Sequence, residues 1–308
     1  MAPLKPLHYI YVVLLLVLGG SSFIAVKYVL AALPPMYFSA LRMALVAFLI
    51  LPWAGKTSVP PRQLMLMAFL SAVVNMAGNS LSMKMGLDVA SAVVVQQFGV
   101  PFACLFGAVI LQDRLGLWRS TGLLFAVLGV YILSGAPNIV ANPLAFTVGM
   151  VSAAGWGLTT IFMKRMGHIE IMPYIGWFSL FGAVQLFGLS YFMESGQWES
   201  TLNMDAKVWC CFLYLTLGVL IAAQAIWYYL LRHYQASQLT PYTLLQPFVA
   251  FGFGILFLDE HITREVLLAG LISVFGVIII VMRRPRLGLF DKLFPARFIT
   301  PETRKNGE

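Results

Sequence analysis

The chain has 308 residues, of which 60% are hydrophobic and only 10% charged, and it carries a formal net charge of +8. An ordinary soluble domain holds about 25% charged residues, and a water-soluble core of this length has no means of hiding so much apolar surface, so a soluble globular class is excluded. The basic residues are dispersed over short segments and one tail, which excludes reading the charge as a nucleic-acid footprint.

Ten apolar stretches follow one another, predicted as helices over residues 8–30, 36–53, 63–83, 89–111, 118–134, 143–164, 171–193, 208–231, 237–258 and 265–282. A helix needs about 20 residues to cross the hydrocarbon, so the expected fold class is all-α integral membrane with ten transmembrane helices. The acidic residues, Asp88, Asp113, Glu170, Glu194 and Glu260 among them, lie between or beyond these stretches, with Glu265 at the first position of the last. That is the pattern expected where a charge at the bilayer centre costs about 3 kcal/mol. Arg42 is the clear exception.

The first stretch begins like a secretory signal, with Lys5 ahead of Tyr9 to Leu18 and small residues from Gly19 to Ser22. Its apolar run continues to Leu33, and the expectation is an uncleaved first span. Cytoplasmic loops are enriched in Lys and Arg. Placing both termini in the cytoplasm puts Lys5, Lys56, Arg62, Arg114, Arg119, Lys164, Arg165 and Arg232 inside with the tail from Arg283, and leaves Lys27, Lys84, Lys207 and Arg264 outside. The tail, residues 283–308, mixes basic residues with Leu287, Leu289, Phe290, Leu293 and Phe294. It either lies on the anionic inner leaflet or serves only to set topology. Cys104, Cys210 and Cys211 fall in apolar stretches with no histidine at ligand spacing, so neither a disulfide framework nor a metal site is expected.

The chain is internally duplicated. Ala90-Ser91 followed by Pro101 recurs 146 residues later as Ala236-Ser237 followed by Pro247. Asp113 with Val127-Leu128-Gly129-Val130 recurs 147 residues later as Glu260 with Val274-Phe275-Gly276-Val277, and Gly20-Ser21-Ser22 ending in Lys27 is echoed by Gly157-Leu158-Thr159 ending in Lys164. Two repeats of five helices follow, residues 8–134 and 143–282. An odd number of crossings makes the second enter the membrane from the opposite side, the inverted arrangement from which alternating access is built.

On these segments, together with Pro34-Pro35 leading to Ala40-Leu41-Arg42, the sequence resembles the EamA-type transporters of the drug/metabolite transporter superfamily up to about Arg284. Ile226-Trp227 through Arg232-His233-Tyr234 and Leu256 through Thr263 are similar to the O-acetylserine/cysteine exporter branch. The resemblance implies two inverted EamA repeats and a carrier in the plasma (inner) membrane for a small molecule such as cysteine or O-acetylserine. Gln112-Asp113 replaces the family's usual Gly-Glu, and Leu258-Asp259-Glu260 keeps the acid without the glycine, so the substrate does not follow from the likeness.

Polar side chains inside a membrane are satisfied by other helices or by a wet cavity. Asn75 and Asn79 share one helix face, as do Gln224, Trp227 and Tyr228; Gln97 and Gln246 lie beside the repeated prolines. With Arg42 and Trp156 these are the candidate substrate-binding residues, joined by Ser21 and Thr160 around the same cavity. Interhelical glue is the other reading of each. For Arg42 the alternatives are a substrate carboxylate, or headgroups and backbone carbonyls. Pro101 and Pro247 are candidate hinges, a static kink being the alternative.

His8, His168, His233 and His261 stand at helix ends, so the interior lacks the acids and histidines of a proton relay. Facilitated or exchange transport is expected, or coupling through a boundary acid such as Asp88 or Glu170. The function expected is export of small amino acids or related metabolites, with aromatic amino acids or drug-like compounds as the alternative. A membrane-embedded enzyme is disfavoured: no nucleophile with a base, metal cluster or acidic pair occurs, and no catalytic residue or cofactor is expected. The partners expected are the substrate and the lipid bilayer, with the oligomeric state left open.

Overall fold

The computed structural model describes residues 6–111, 117–166, 170–234, 239, 242, 245–259 and 261–281, and every regular element among them is helical. In chain order these are α1 (Pro6–Ala32), α2 (Pro35–Ala54), α3 (Pro61–Lys84), α4 (Val89–Ile110), α5 (Leu117–Ser134), the short α6 (Pro137–Ala141), α7 (Pro143–Met166), α8 (Ile171–Met193) and the short α9 (Gln197–Leu202). There follow α10, in which Ala206–Leu213 is continued by Tyr214–Ala223 and Gln224–His233, then α11 (Gln246–Leu258) and α12 (Arg264–Val281). Seven of them, α1 to α4, α7, α8 and α10, are long and apolar enough to cross a bilayer. α5, α11 and α12 occupy the fifth, ninth and tenth places at which spans are expected. Asp113, Glu260, Ala236, Ser237 and the tail 283–308 lie outside the described residues.

Prolines begin many of these helices. Pro35 and Pro61 stand at the first position of α2 and α3, where a missing N–H leaves no bond unmade. Gly55 ends α2 with a φ of 68°, a left-handed turn that an L side chain adopts only at a cost.

Two helices contain π-helical segments, Phe69–Ala77 in α3 and Tyr214–Ala223 in α10. The offset of 146 that relates Ala90 to Ala236 carries residues 69–77 onto 215–223, so the irregularity is duplicated with the sequence. Segments of this kind are rare and frequently found at functional sites. α4 is also interrupted, at Phe98, three residues before Pro101; α11 starts after a turn at Leu245, two residues before Pro247. Pro101 has no N–H to return to the carbonyl four residues back, which is why the break in α4 precedes it; Pro247 falls in the first turn of α11, where a missing N–H leaves no bond unmade.

The two halves interlock through equivalent glycines. A Cβ on Gly20 of α1 would stand 2.8 Å from Val249 Cγ1 and 3.0 Å from Ala250 N of α11; one on Gly157 of α7 would stand 2.8 Å from Ala103 N and 2.9 Å from Phe102 Cβ of α4. Residues 20 and 157 correspond in the duplication, as do 103 and 249. A Cβ on Gly129 of α5 would meet Ala269 O of α12 at 3.4 Å, and one on Gly276 would meet Gly122 O at 2.8 Å. The first helix of each half therefore lies on the fourth of the other, and the fifth helices lie on each other, with backbones close enough for dispersion contacts to hold them where lipid offers no hydrophobic drive.

The largest buried cluster gathers the C-terminal parts of α1 and α5 with the N-terminal parts of α2, α4, α7, α10 and α12, including Leu33, Phe38, Leu87, Phe98, Leu133 and Leu215. These ends lie together and close one end of the bundle. Glu194 completes the closure. Its carboxylate accepts the backbone N–H groups of Met36 at 2.8 Å and Tyr37 at 2.9 Å, and the Ser190 hydroxyl at 2.7 Å. Pro34 supplies no capping side chain for α2, so this distant carboxylate meets the exposed donors and the positive end of the helix dipole. At the same end Lys84 donates to the Leu30 carbonyl and Asn138 donates to Asp88.

Candidate functional site

The opposite end of the bundle holds a cavity of about 480 Å³. Its wall takes Leu15 and Gly19 from α1, Gln97 and Val100 from α4, Trp156 from α7, Gln224 and Trp227 from α10, Gln246 from α11 and Val277 from α12. A second lobe of about 200 Å³ reaches toward the middle of the bundle and shares Gln97, Val100, Trp156 and Gln246 with the first, adding Gln96 and Phe23. A site between two interlocked repeats is where carriers of this architecture hold their cargo.

Three carboxamides, those of Gln97, Gln224 and Gln246, converge on this space, each with two N–H donors and a carbonyl acceptor. None of the three makes a hydrogen bond to another described residue, and no charged side chain is among the described lining residues. Trp156 and Trp227 add apolar ring faces and indole N–H groups. Two glycines keep the space open. A Cβ on Gly19 would stand 2.7 Å from Gln246 Nε2, and one on Gly99 would stand 2.7 Å from Trp156 Cε3. The wall thus offers neutral donors and acceptors beside aromatic surface in a medium that strengthens each such bond, which suits an uncharged or zwitterionic solute and penalises an ion.

Five of the nine sequence candidates, Gln97, Trp156, Gln224, Trp227 and Gln246, are brought together there. Asn75 and Asn79 do share a face, and that face is turned to Gln96 and Ser152. Asn75 Nδ2 donates to Gln96 Oε1 at 3.1 Å and to the Ser152 carbonyl at 3.1 Å. Gln96 Nε2 donates to Asn79 Oδ1 at 3.0 Å and to Ser152 Oγ at 2.9 Å, and Ser152 Oγ donates to the Asn75 carbonyl at 2.8 Å. These groups satisfy one another at the meeting of α3, α4 and α7. Sequence reasoning passed over Gln96 and Ser152; the available signal was the pair Gln96-Gln97, whose members point about 100° apart on a helix, so that Gln96 reaches α3 and α7 as well as the smaller lobe that both line.

Arg42 is buried, at 6% exposure, and is absent from the cavity wall. Its Nη2 donates to the Leu215 carbonyl at 3.0 Å, its guanidinium carbon stands 5.3 Å from the centroid of the Phe38 ring, and its Nε has no partner among the described residues. Of the two roles set out for it, this geometry is carbonyl capping, on a carbonyl inside the π segment of α10. Ser21 bonds Tyr214 OH at 2.6 Å, and Thr160 bonds the Trp156 carbonyl of its own helix at 2.9 Å. Pro101 is buried beside the break in α4, and Pro247 is buried in the first turn of α11. Tyr228 is on α10, with its side chain outside what the structure describes.

Comparison with known proteins bears on this architecture. The sequence model of the EamA-like transporter family matches residues 7–135 and again residues 144–282. The chain is 25% identical over 274 residues to a "probable amino-acid metabolite efflux pump" of Escherichia coli, covering 86% of this chain and 92% of that one. A protein of the same description from Salmonella typhimurium is 26% identical over 279 residues, covering 85% and 93%. A crystal structure 16% identical in sequence superposes with a TM-score of 0.60 over 90% of this chain and 96% of its own, which is a likeness of fold.

Proposed function

We propose that this chain, which belongs to the EamA-like transporter family, exports small amino acids or related metabolites across the inner membrane by alternating access. It is a membrane transporter and not an enzyme, as its family and the efflux pumps similar to it indicate. The single observation that carries the substrate reading is a cavity between the repeats walled, among the described residues, by three carboxamides without a hydrogen-bond partner, two indoles and no charged side chain. A zwitterionic amino acid presents both donors and acceptors, and such amides hydrogen-bond both of its ends without competing for its charge.

The architecture proposed is ten transmembrane helices in two inverted repeats with both termini cytoplasmic, a topology supported by the distribution of Lys and Arg and by the exchanged glycine contacts. In that orientation the packed end faces out and the cavity faces the cytoplasm, where an exporter loads. Gln97, Gln224, Gln246, Trp156 and Trp227 bind the solute; Pro101 at the break in α4 and Pro247 at the start of α11 serve as hinges as access changes sides. Arg42, Asn75 and Asn79 act at one remove, holding the π segments of α10 and α3 whose carbonyls they or their partner Ser152 bond. Asp88 and Glu170, at the starts of α4 and α8, are the acids open to coupling.

The test is counterflow in proteoliposomes of the purified protein, preloaded in turn with cysteine, O-acetylserine, threonine and phenylalanine, following trace labelled solute with no ion gradient. Accumulation driven by at least one preload is expected, and Gln97→Ala should weaken it about tenfold, the worth of one good hydrogen bond. No accumulation with any preload, with or without an imposed pH gradient, overturns the reading.

A further inference from the structure

Beside the cavity lies a second chamber of about 320 Å³, between α2, α7, α8 and α10. Its character differs. Its wall is mostly aliphatic, with Met43, Met163, Met172 and Phe178 among Val, Ile and Leu side chains; Ser71 of α3 and Ser179 also reach it, and the hydroxyl of Thr159 is already bonded to the Gly155 carbonyl at 2.9 Å. Methionine side chains are unbranched and polarizable and adapt to apolar groups of varied shape. Gln224 lines this chamber and the cavity alike, so one side chain partitions the two spaces. On α7, Trp156 faces the cavity and Thr159, three residues on, faces the chamber.

We propose that this chamber is a side-chain subsite: the transported solute is a neutral amino acid with an extended apolar side chain, of the thioether, aliphatic or aromatic kind, whose polar head rests on the cavity amides while its side chain passes Gln224 into the chamber. The proposal rests on the carrier reading above. The shared wall residue names the occupant, since whatever hydrogen-bonds Gln224 from the cavity has apolar space on the far side of that amide. The volume is at the lower end of the ~300–1,000 Å³ typical of small-molecule sites, enough for one side chain and too small for a whole second solute of drug size. Solutes with short side chains use the amides alone.

The experiment is counterflow of trace labelled methionine and alanine with preloads of alanine, cysteine, methionine and phenylalanine, in wild type, Met163→Trp, which fills the chamber, and Phe178→Ala, which enlarges it. Wild type should exchange methionine and phenylalanine at least about tenfold better than alanine, the discrimination an apolar pocket gives for added carbon atoms. Met163→Trp should remove that advantage while alanine and cysteine stay within about twofold; Phe178→Ala should shift preference toward phenylalanine over methionine, which keeps the test open if the filled variant fails to fold. Equal loss for all four solutes, as when lipid occupies the chamber, or no change in either variant, overturns the subsite. Wild type that exchanges alanine and cysteine but neither larger solute overturns it too and leaves the carrier reading standing, whereas exchange of none of the four tells against that reading.

Discussion

Gln96 and Gln97 are neighbours on one helix and both reach the smaller lobe of the cavity, yet their hydrogen bonds are answered differently. Gln96 is tied into the knot with Asn75, Asn79 and Ser152, where its donors and acceptors meet partners at 2.9 to 3.1 Å. Gln97 faces the cavity and bonds no described residue. The same side chain is thus glue in one place and, in our reading, a waiting ligand in the other. Both are half-buried, so what separates them is whether the structure has already answered their hydrogen bonds: an amide without a protein partner is left to water or a solute.

Substitutions can break or sharpen this contrast. The largest effect is expected from Gly157→Leu, because α7 carries both Ser152 of the knot and Trp156 of the cavity, and a Cβ at 157 meets the α4 backbone at 2.8 Å. Both regions should be lost together, seen as disappearance of the monodisperse peak in size-exclusion chromatography; a folded, transporting variant would show that this contact is not needed. Next, Ser152→Ala leaves the Asn75 carbonyl and the Gln96 amide each short of a partner and should lower stability by about 1–3 kcal/mol in reversible denaturant unfolding, with counterflow per folded molecule within about twofold of wild type. Gln246→Ala is expected to do the reverse, weakening counterflow about tenfold while leaving stability within about 0.5 kcal/mol. If these two variants behave alike, the contrast fails. The smallest effect should come from Thr160→Val, which removes a hydroxyl bonded only within its own helix; stability within about 0.5 kcal/mol and unaltered counterflow would place it in neither region.

Much of this was legible in the sequence, because lipid imposes few solutions. Apolar length and charge exclusion located the helices, and the offset of 146 located the repeat on which the glycine contacts and the paired π segments fall. The cavity amides Gln97 and Gln246 were legible through their nearness to Pro101 and Pro247. What escaped the sequence was partnership. Asn75 and Asn79 at a spacing of four look the same whether their face meets water, solute or another amide, and only the fold brings Gln96 and Ser152 to them. Arg42 escaped for the same reason: its acceptor, the Leu215 carbonyl, is a backbone atom that no residue type announces. The chamber beside Gln224 is built from aliphatic residues, methionines and aromatics that in sequence are indistinguishable from core.

The exchanged glycine contacts carry a consequence for how such a molecule can come into being. Gly20 rests on α11 and Gly157 on α4, so each half lends its first helix to the other and keeps no complete interior of its own. A solitary half is an unfinished object, and two copies of one half could finish each other only by pairing head to tail. Residues 1–141 and 142–308 made as separate chains should therefore associate and recover counterflow when produced together, and each should remain unassembled and protease-sensitive alone; a stable, monomeric single half would refute this interdependence.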